Sequence, residues 1–227
     1  MNKIPVRYPL LDFLRGLAVL LMIVFHFFYD LTILQHINID FHENLFWFSF
    51  PRAIAALFLL CVGMGQTIGH RTEIHWKKYG KRFIHLGSIA VLISIFTFLL
   101  FPFNWIYFGA IHCIAAVSLI IPFLVPYPVT SLIIGTCLVA SYWFLPIPSF
   151  PPLVEDIQSM DFIPLYPWLG VSLWGIYFGN KEIYKIKIPE HPAFKGLIFM
   201  GKHSLIIYLV HQPLMYGMLR LISSVVK

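Results

Sequence analysis

Arg15, His26 and Asp30 stand inside one apolar run, Leu11 to Leu31, that is long enough to cross a bilayer. Asp12 lies at its start. Ionisable side chains are costly in hydrocarbon, so groups kept there mark a functional site by default. The eleven positions from Arg15 to His26 make close to three helical turns. Both side chains therefore share a face, about 16 Å apart along the axis. Asp30 follows His26 by one turn on that face. A carboxylate beside an imidazole holds one tautomer, makes the other nitrogen more basic and stabilises the imidazolium, which is what a general base needs. The same pair would equally serve to join two helices by hydrogen bonding.

Arg15 offers a permanently charged fork for phosphate, as a phosphorylated cytosolic donor would require. Snorkelling, with Asp12 as a local partner, is the alternative. Gly16 next to it lets something approach the backbone closely. Further along, Gly201-Lys-His203-Ser-Leu-Ile-Ile-Tyr208-Leu-Val-His211-Gln-Pro213 gathers His203, Ser204, Tyr208 and His211 around a proline. That proline frees a backbone carbonyl, and such breaks usually line a cavity. His112 opens another apolar segment, either as an oxyanion donor or as a bundle hydrogen-bonding residue. Trp168 in Leu165-Tyr-Pro-Trp-Leu-Gly is a sugar-stacking platform or part of an interfacial belt. Arg52 adds a cation towards the outer half. His70, His75 and His191 border basic loops and are expected in water.

These residues need a membrane bundle to hold them. The chain of 227 residues is 59% hydrophobic and 11% charged, with mean hydropathy +0.81. A soluble domain carries about a quarter charged residues, so this composition reads as a polytopic membrane protein in contact with lipid. Seven apolar segments lie at roughly 11–34, 47–69, 83–101, 106–125, 128–145, 162–179 and 203–223. With no repeat and no room for a soluble domain, they predict an all-α transmembrane bundle of about seven spans, one domain over residues 1–227. Lys3 and Arg7 precede a run too long for a signal peptide, with no small-residue cleavage site after it, so the run is expected to stay in the mature chain.

Charge sets the orientation. The loop at 35–46 holds Asp40 and Glu43 without Lys or Arg; the next holds Arg71, Lys77, Lys78, Lys81 and Arg82. The loop at 146–161 has only Glu155, Asp156 and Asp161, whereas 180–202 carries Lys181, Lys185, Lys187, Lys195 and Lys202. This alternation predicts a cytoplasmic N-terminus and Lys227 outside. The basic balance is thus a topology signal, and no basic module outside the spans points to nucleic acid. Cys61, Cys113 and Cys137 form no Cys-x-x-Cys, and none of the ten histidines has a metal-ligand spacing, so no metal is expected. The oligomeric state is not legible.

The stretch from Leu11 to Asp30, Leu59-Leu-Cys-Val-Gly63, Phe108-Gly-Ala-Ile-His-Cys-Ile-Ala, Pro164-Leu-Tyr-Pro-Trp-Leu-Gly-Val and Lys202-His-Ser-Leu-Ile-Ile-Tyr-Leu-Val-His-Gln-Pro together resemble bacterial membrane proteins related to the catalytic domain of heparan-alpha-glucosaminide N-acetyltransferase. The Arg15-to-His26 spacing is also similar to the arginine–histidine motif of membrane acyltransferase family 3. The resemblance implies a multi-pass protein of the bacterial inner membrane. It implies transfer of an acetyl group from cytosolic acetyl-CoA to a hydroxyl or amino group of a saccharide on the far side. It puts the catalytic histidine at His26 or, by the register of the lysosomal enzyme, near His36. In this reading His26 and Asp30 are catalytic, Arg15, His203 and His211 serve the acyl donor, and His112, Tyr208, Arg52 and Trp168 serve the oxyanion or the acceptor. A small proton-coupled carrier using the same His, Asp and Arg side chains as a relay is the alternative, although no inverted pair of broken helices is apparent.

Overall fold

The computed structural model describes residues 7–71, 73–150 and 159–225. Lys3, Glu155, Asp156 and Lys227, which enter the charge argument, lie outside the described residues. Each of the seven apolar segments is helical: α1 (Pro9–Ile33), α2 (Leu45–His70), α3 (Trp76–Leu100), α4 (Ala110–Leu124), α5 (Pro128–Phe144), α6 (Leu165–Asn180) and α8 (Ser204–Val225). Among the described residues α1, α2, α3 and α8 are long and apolar enough to cross a membrane; α4 and α5 are shorter apolar helices. Proline marks the starts of α1 and α5, where its missing N–H costs nothing. Asn44 caps α2 by accepting from the N–H groups of Phe46 and Trp47 at 3.0 and 3.3 Å.

One helix was not expected. Within the basic stretch 180–202 the chain forms α7 (Pro192–Lys202), and His191, placed in water from sequence, caps it by accepting from the Ala193 N–H at 3.3 Å. Glycines let α7 press on α1. A methyl group at Gly16 would run into the Leu197 carbonyl, and one at Gly201 into that of Asp12. What approaches Gly16 is therefore another helix, an arrangement favoured in membranes, where close backbone packing replaces the hydrophobic drive.

The chain divides into two compact units, Met1–Phe58 with Tyr184–Lys227, and Leu59–Ile183, so that α2 contributes one half to each. In the first unit Val19, Met22 and Ile54 form the core, with Phe50, Phe58, Met200, Ile207 and Tyr208 packed against it. Helix α8 has no buried residue, and Leu214, Met218, Leu221 and Ile222 present an apolar outer surface. Its neighbour α1 runs parallel to it, since His26 meets His211 near the middle and His36 meets Ser223 beyond the end of α1.

The second unit is built around α6. A methyl at Gly63 or Gly175 would strike a backbone carbonyl of the facing helix, and Gly135 and Gly170 approach each other in the same way between α5 and α6. Its helix directions can be read from contacts. Thr67 lies against Gly179 and Gly63 against Gly175, so α2 and α6 are parallel. Ser141 pairs with Tyr166 and Thr136 with Trp174, so α5 and α6 are antiparallel. Tyr79 reaches Leu119 while Ser94 reaches His112, which makes α3 and α4 antiparallel.

Candidate active site

His26 lies two-thirds of the way along α1. Its Nδ1 is 2.9 Å from the carbonyl of Met22, one turn back. A carbonyl only accepts, so Nδ1 carries the hydrogen and Nε2 holds the lone pair. The expected bond from Asp30 is absent. Asp30 is fully buried, and its Oδ1 accepts instead from Gln212 Nε2 of α8 at 2.7 Å. The other oxygen, Oδ2, has no hydrogen-bond partner among the described residues, nor does Gln212 Oε1. The correction has a simple cause: the helix's own backbone satisfies the imidazole first, and the carboxylate turns to an amide across the α1–α8 seam. The outcome for His26 is the tautomer that a carboxylate would have imposed.

His211, assigned to the donor side from sequence, stands ring to ring with His26. Their centroids are 4.9 Å apart at 74°. Its Nδ1 donates to the Tyr208 carbonyl at 2.7 Å, so it has the same tautomer as His26. The Tyr208 ring is 5.9 Å away and packs on the core of the first unit. Thus His26, Asp30, Tyr208 and His211 come together, joined by Gln212.

Arg15 and His203 lie at the other end of the same unit. Arg15 is part-exposed and makes one long ion pair, 3.7 Å to Asp12 Oδ1. The last turn of α7 rests on Asp12 and Gly16, which brings Lys202 and His203 to that end of α1; the His203 ring lies 4.6 Å from Phe199. Arg52 is exposed and folds back on its own helix, with Nη1 donating to the Phe48 carbonyl at 2.5 Å and the guanidinium 3.5 Å above the Phe48 ring. His36, exposed, donates from Nε2 to Ser223 Oγ at 2.6 Å, because the single Ser223 proton goes to the Leu219 carbonyl. A cavity of about 400 Å³ opens beside it, lined by Thr32, Gln35, His36, Ile37 and Asn38. Gln35 there has φ of 61°, a left-handed conformation that is strained for a residue with a side chain.

His112 and Trp168 belong to the second unit. His112 Nδ1 accepts from the Gly109 N–H at 3.2 Å, so Nε2 carries the hydrogen and donates to Ser94 Oγ at 2.9 Å. Ser94 in turn donates to the Ile106 carbonyl at 2.7 Å. Both nitrogens are taken up in hydrogen bonds that hold the start of α4. Trp168 is half-buried on α6. His70 corrects another expectation: α2 continues to it, and it is buried beside Tyr79 and His75.

The family model of the heparan-alpha-glucosaminide N-acetyltransferase catalytic domain matches residues 7–213. The chain belongs to that family. No curated protein and no solved structure matches it. The matched residues take in the whole of the second unit, most of the first and every candidate residue named from sequence. Membership in the N-acetyltransferase catalytic family makes this a membrane protein of a transferase family.

Sequence reasoning missed two parts of this candidate site. Gln212 stood unweighed inside the quoted motif, because an amide has no chemistry of its own. An aromatic cluster, Phe25, Phe28, Tyr29, Phe41, Trp47 and Phe50, gathers at the C-terminal part of α1. The helical spacing of Phe25, Phe28 and Tyr29 was its available signal.

Proposed function

We propose that this chain is an inner-membrane acetyltransferase of a bacterium, acting as one domain over residues 1–227. It moves an acetyl group from cytosolic acetyl-CoA to a hydroxyl or amino group of a cell-envelope saccharide on the far side. The observation that carries this reading is the His26 ring, held through Nδ1 by the Met22 carbonyl so that Nε2 is the basic atom, inside a chain of the N-acetyltransferase family.

Seven spans with a cytoplasmic N-terminus agree with the helix directions. In that scheme odd-numbered spans run outward and even-numbered spans inward, α8 being the seventh. The scheme requires α1 parallel to α8 and α2 parallel to α6, as observed. It also requires α3 antiparallel to α4 and α5 antiparallel to α6, as observed. The Arg15 end of α1 then faces the cytosol, where Arg15 and Lys202 supply cations, and His203 a ring N–H, for the donor's phosphates. The His36 end faces outward, where Thr32, Gln35 and Asn38 in the cavity lining offer hydrogen-bonding groups to a hydroxylated acceptor. Trp168 and Arg52 remain acceptor-side residues in this reading.

The chemistry is general-base acyl transfer. His26 Nε2 removes a proton from the acceptor as it attacks the thioester carbonyl, and Tyr208, whose ring lies 5.9 Å from that of His211, serves to steady the oxyanion. Asp30, through Gln212, keeps α8 and hence His211 against α1. His26 is preferred to His36 because the His36 ring is exposed and tied to Ser223. Acetyl-CoA turnover by purified protein tests the reading: His26→Ala should lose about 10²–10⁴-fold in kcat, the range general-base catalysis supplies. Full activity in that variant would end it. Arg15→Ala should mainly raise KM for acetyl-CoA, as loss of binding common to ground and transition states does.

A further inference from the structure

Acyl transfer from a thioester moves a proton between two places. The attacking hydroxyl or amine loses one, and the departing sulfur gains one. When the two substrates arrive from opposite sides of a membrane, a single ring has to serve two points. The first unit holds two rings side by side. His26 on α1 and His211 on α8 meet edge to face at 4.9 Å. Each is anchored in the same way, with Nδ1 donating to a carbonyl of its own helix, Met22 at 2.9 Å and Tyr208 at 2.7 Å. Each therefore turns Nε2, the basic atom, away from its backbone. The other ring against His26 is that of Phe25 at 5.3 Å, which carries no proton. Asp30, the carboxylate that would ordinarily stabilise an imidazolium, is bonded to Gln212 instead.

We infer that His211 is a second catalytic imidazole, a proton carrier that works in series with His26. This rests on the acetyltransferase reading above. The acceptor N–H or O–H gives its proton to His26 Nε2 as the new bond to the acyl carbon forms. The carbon–sulfur bond breaks with its electron pair on sulfur. The proton passes from His26 to His211 Nε2 and from there to the thiolate, so coenzyme A leaves as the thiol and both rings end as they began. Gln212, next in sequence and bound to Asp30, is the brace that holds His211 in register with His26.

The test compares His211→Phe and His211→Ala with wild type in acetyl-CoA turnover. The phenyl ring keeps the edge-to-face contact and removes the proton carrier. Both variants should lose about 10²-fold or more in kcat with acetyl-CoA binding little changed. Millimolar imidazole should restore His211→Ala at least in part and leave His211→Phe, whose site is filled, unrescued. A proton inventory in mixed light and heavy water should be curved for wild type and linear for His211→Phe. Either variant turning over within about threefold of wild type would overturn the relay, and so would a deficit in His211→Ala that imidazole leaves untouched. Activity surviving in His26→Ala would remove the acetyltransferase mechanism itself. An inactive His26→Ala beside a fully active His211→Phe would remove the relay alone.

Discussion

At Gly16 helix α1 meets α7 backbone against backbone, whereas three turns later, at His26 and Asp30, it meets α8 through ring and amide side chains. At the first contact the small residues leave no space, and a single methyl would collide with a carbonyl. The second has unpaired polar atoms, Asp30 Oδ2 and Gln212 Oε1, and a partner helix with no buried residue. The difference separates two tasks along one helix. Close backbone packing marks the Gly16 end, and polar groups with unpartnered atoms among the described residues occupy the other. Close packing tolerates no added volume, and a site for chemistry requires groups that are not already satisfied.

Substitutions can break this contrast in order of size. Gly16→Val should be the most damaging, at about 3 kcal/mol or more, since neither backbone can withdraw. Thermal unfolding in detergent should show it, with Gly87→Ala as control. A methyl at Gly87 meets nothing within 4 Å, so that change should stabilise by about 0.5–1 kcal/mol through helix propensity. Gln212→Leu should cost less, about 1–3 kcal/mol, because it strips a buried carboxylate of its one donor. The double variant with Asp30→Leu should recover part of that loss in a double-mutant cycle. Equal damage from Gly16→Val and Gln212→Leu would show that the two ends are held alike.

The smallest effect is expected in the loop between α1 and α2. Asp40 accepts the backbone N–H groups of His42 and Glu43, both at 2.8 Å, and these bonds hold its carboxyl below the usual carboxylate range. A folded-state pKa below the unfolded one stabilises fully above the unfolded value, and the gain is lost as pH falls through the folded value. The unfolding midpoints of Asp40→Asn and wild type should therefore differ slightly at neutral pH and converge in acid. Midpoints that stay apart at the acid end would exclude this cause.

All seven apolar segments could be placed from length and hydropathy because a bilayer demands long apolar runs. Helix α7 escaped that reading for the same reason. It has eleven residues, carries Lys195 and Lys202, and packs through Leu197, Met200 and Gly201. Within the site, the face shared by Arg15, His26 and Asp30 was legible from helical spacing. Its partners were not, because periodicity tells which side of a helix a residue occupies and not which helix faces it. The Asp30–Gln212 bond joins residues 182 positions apart, and the group that orients His26 is a backbone carbonyl, which no residue type announces. His112 and His26 look alike in sequence as single histidines in apolar runs. They differ in structure by tautomer, and that difference is set by an N–H in one case and a C=O in the other.

The bond from His26 Nδ1 to the Met22 carbonyl lies wholly within four residues of one helix. The aim of the ring is thus written into α1 itself and does not wait for the bundle to assemble. A synthetic α1 peptide in lipid should already show the Nδ1–H form in its nitrogen-15 spectrum, with assembly adding the neighbours that put a pre-set base to use.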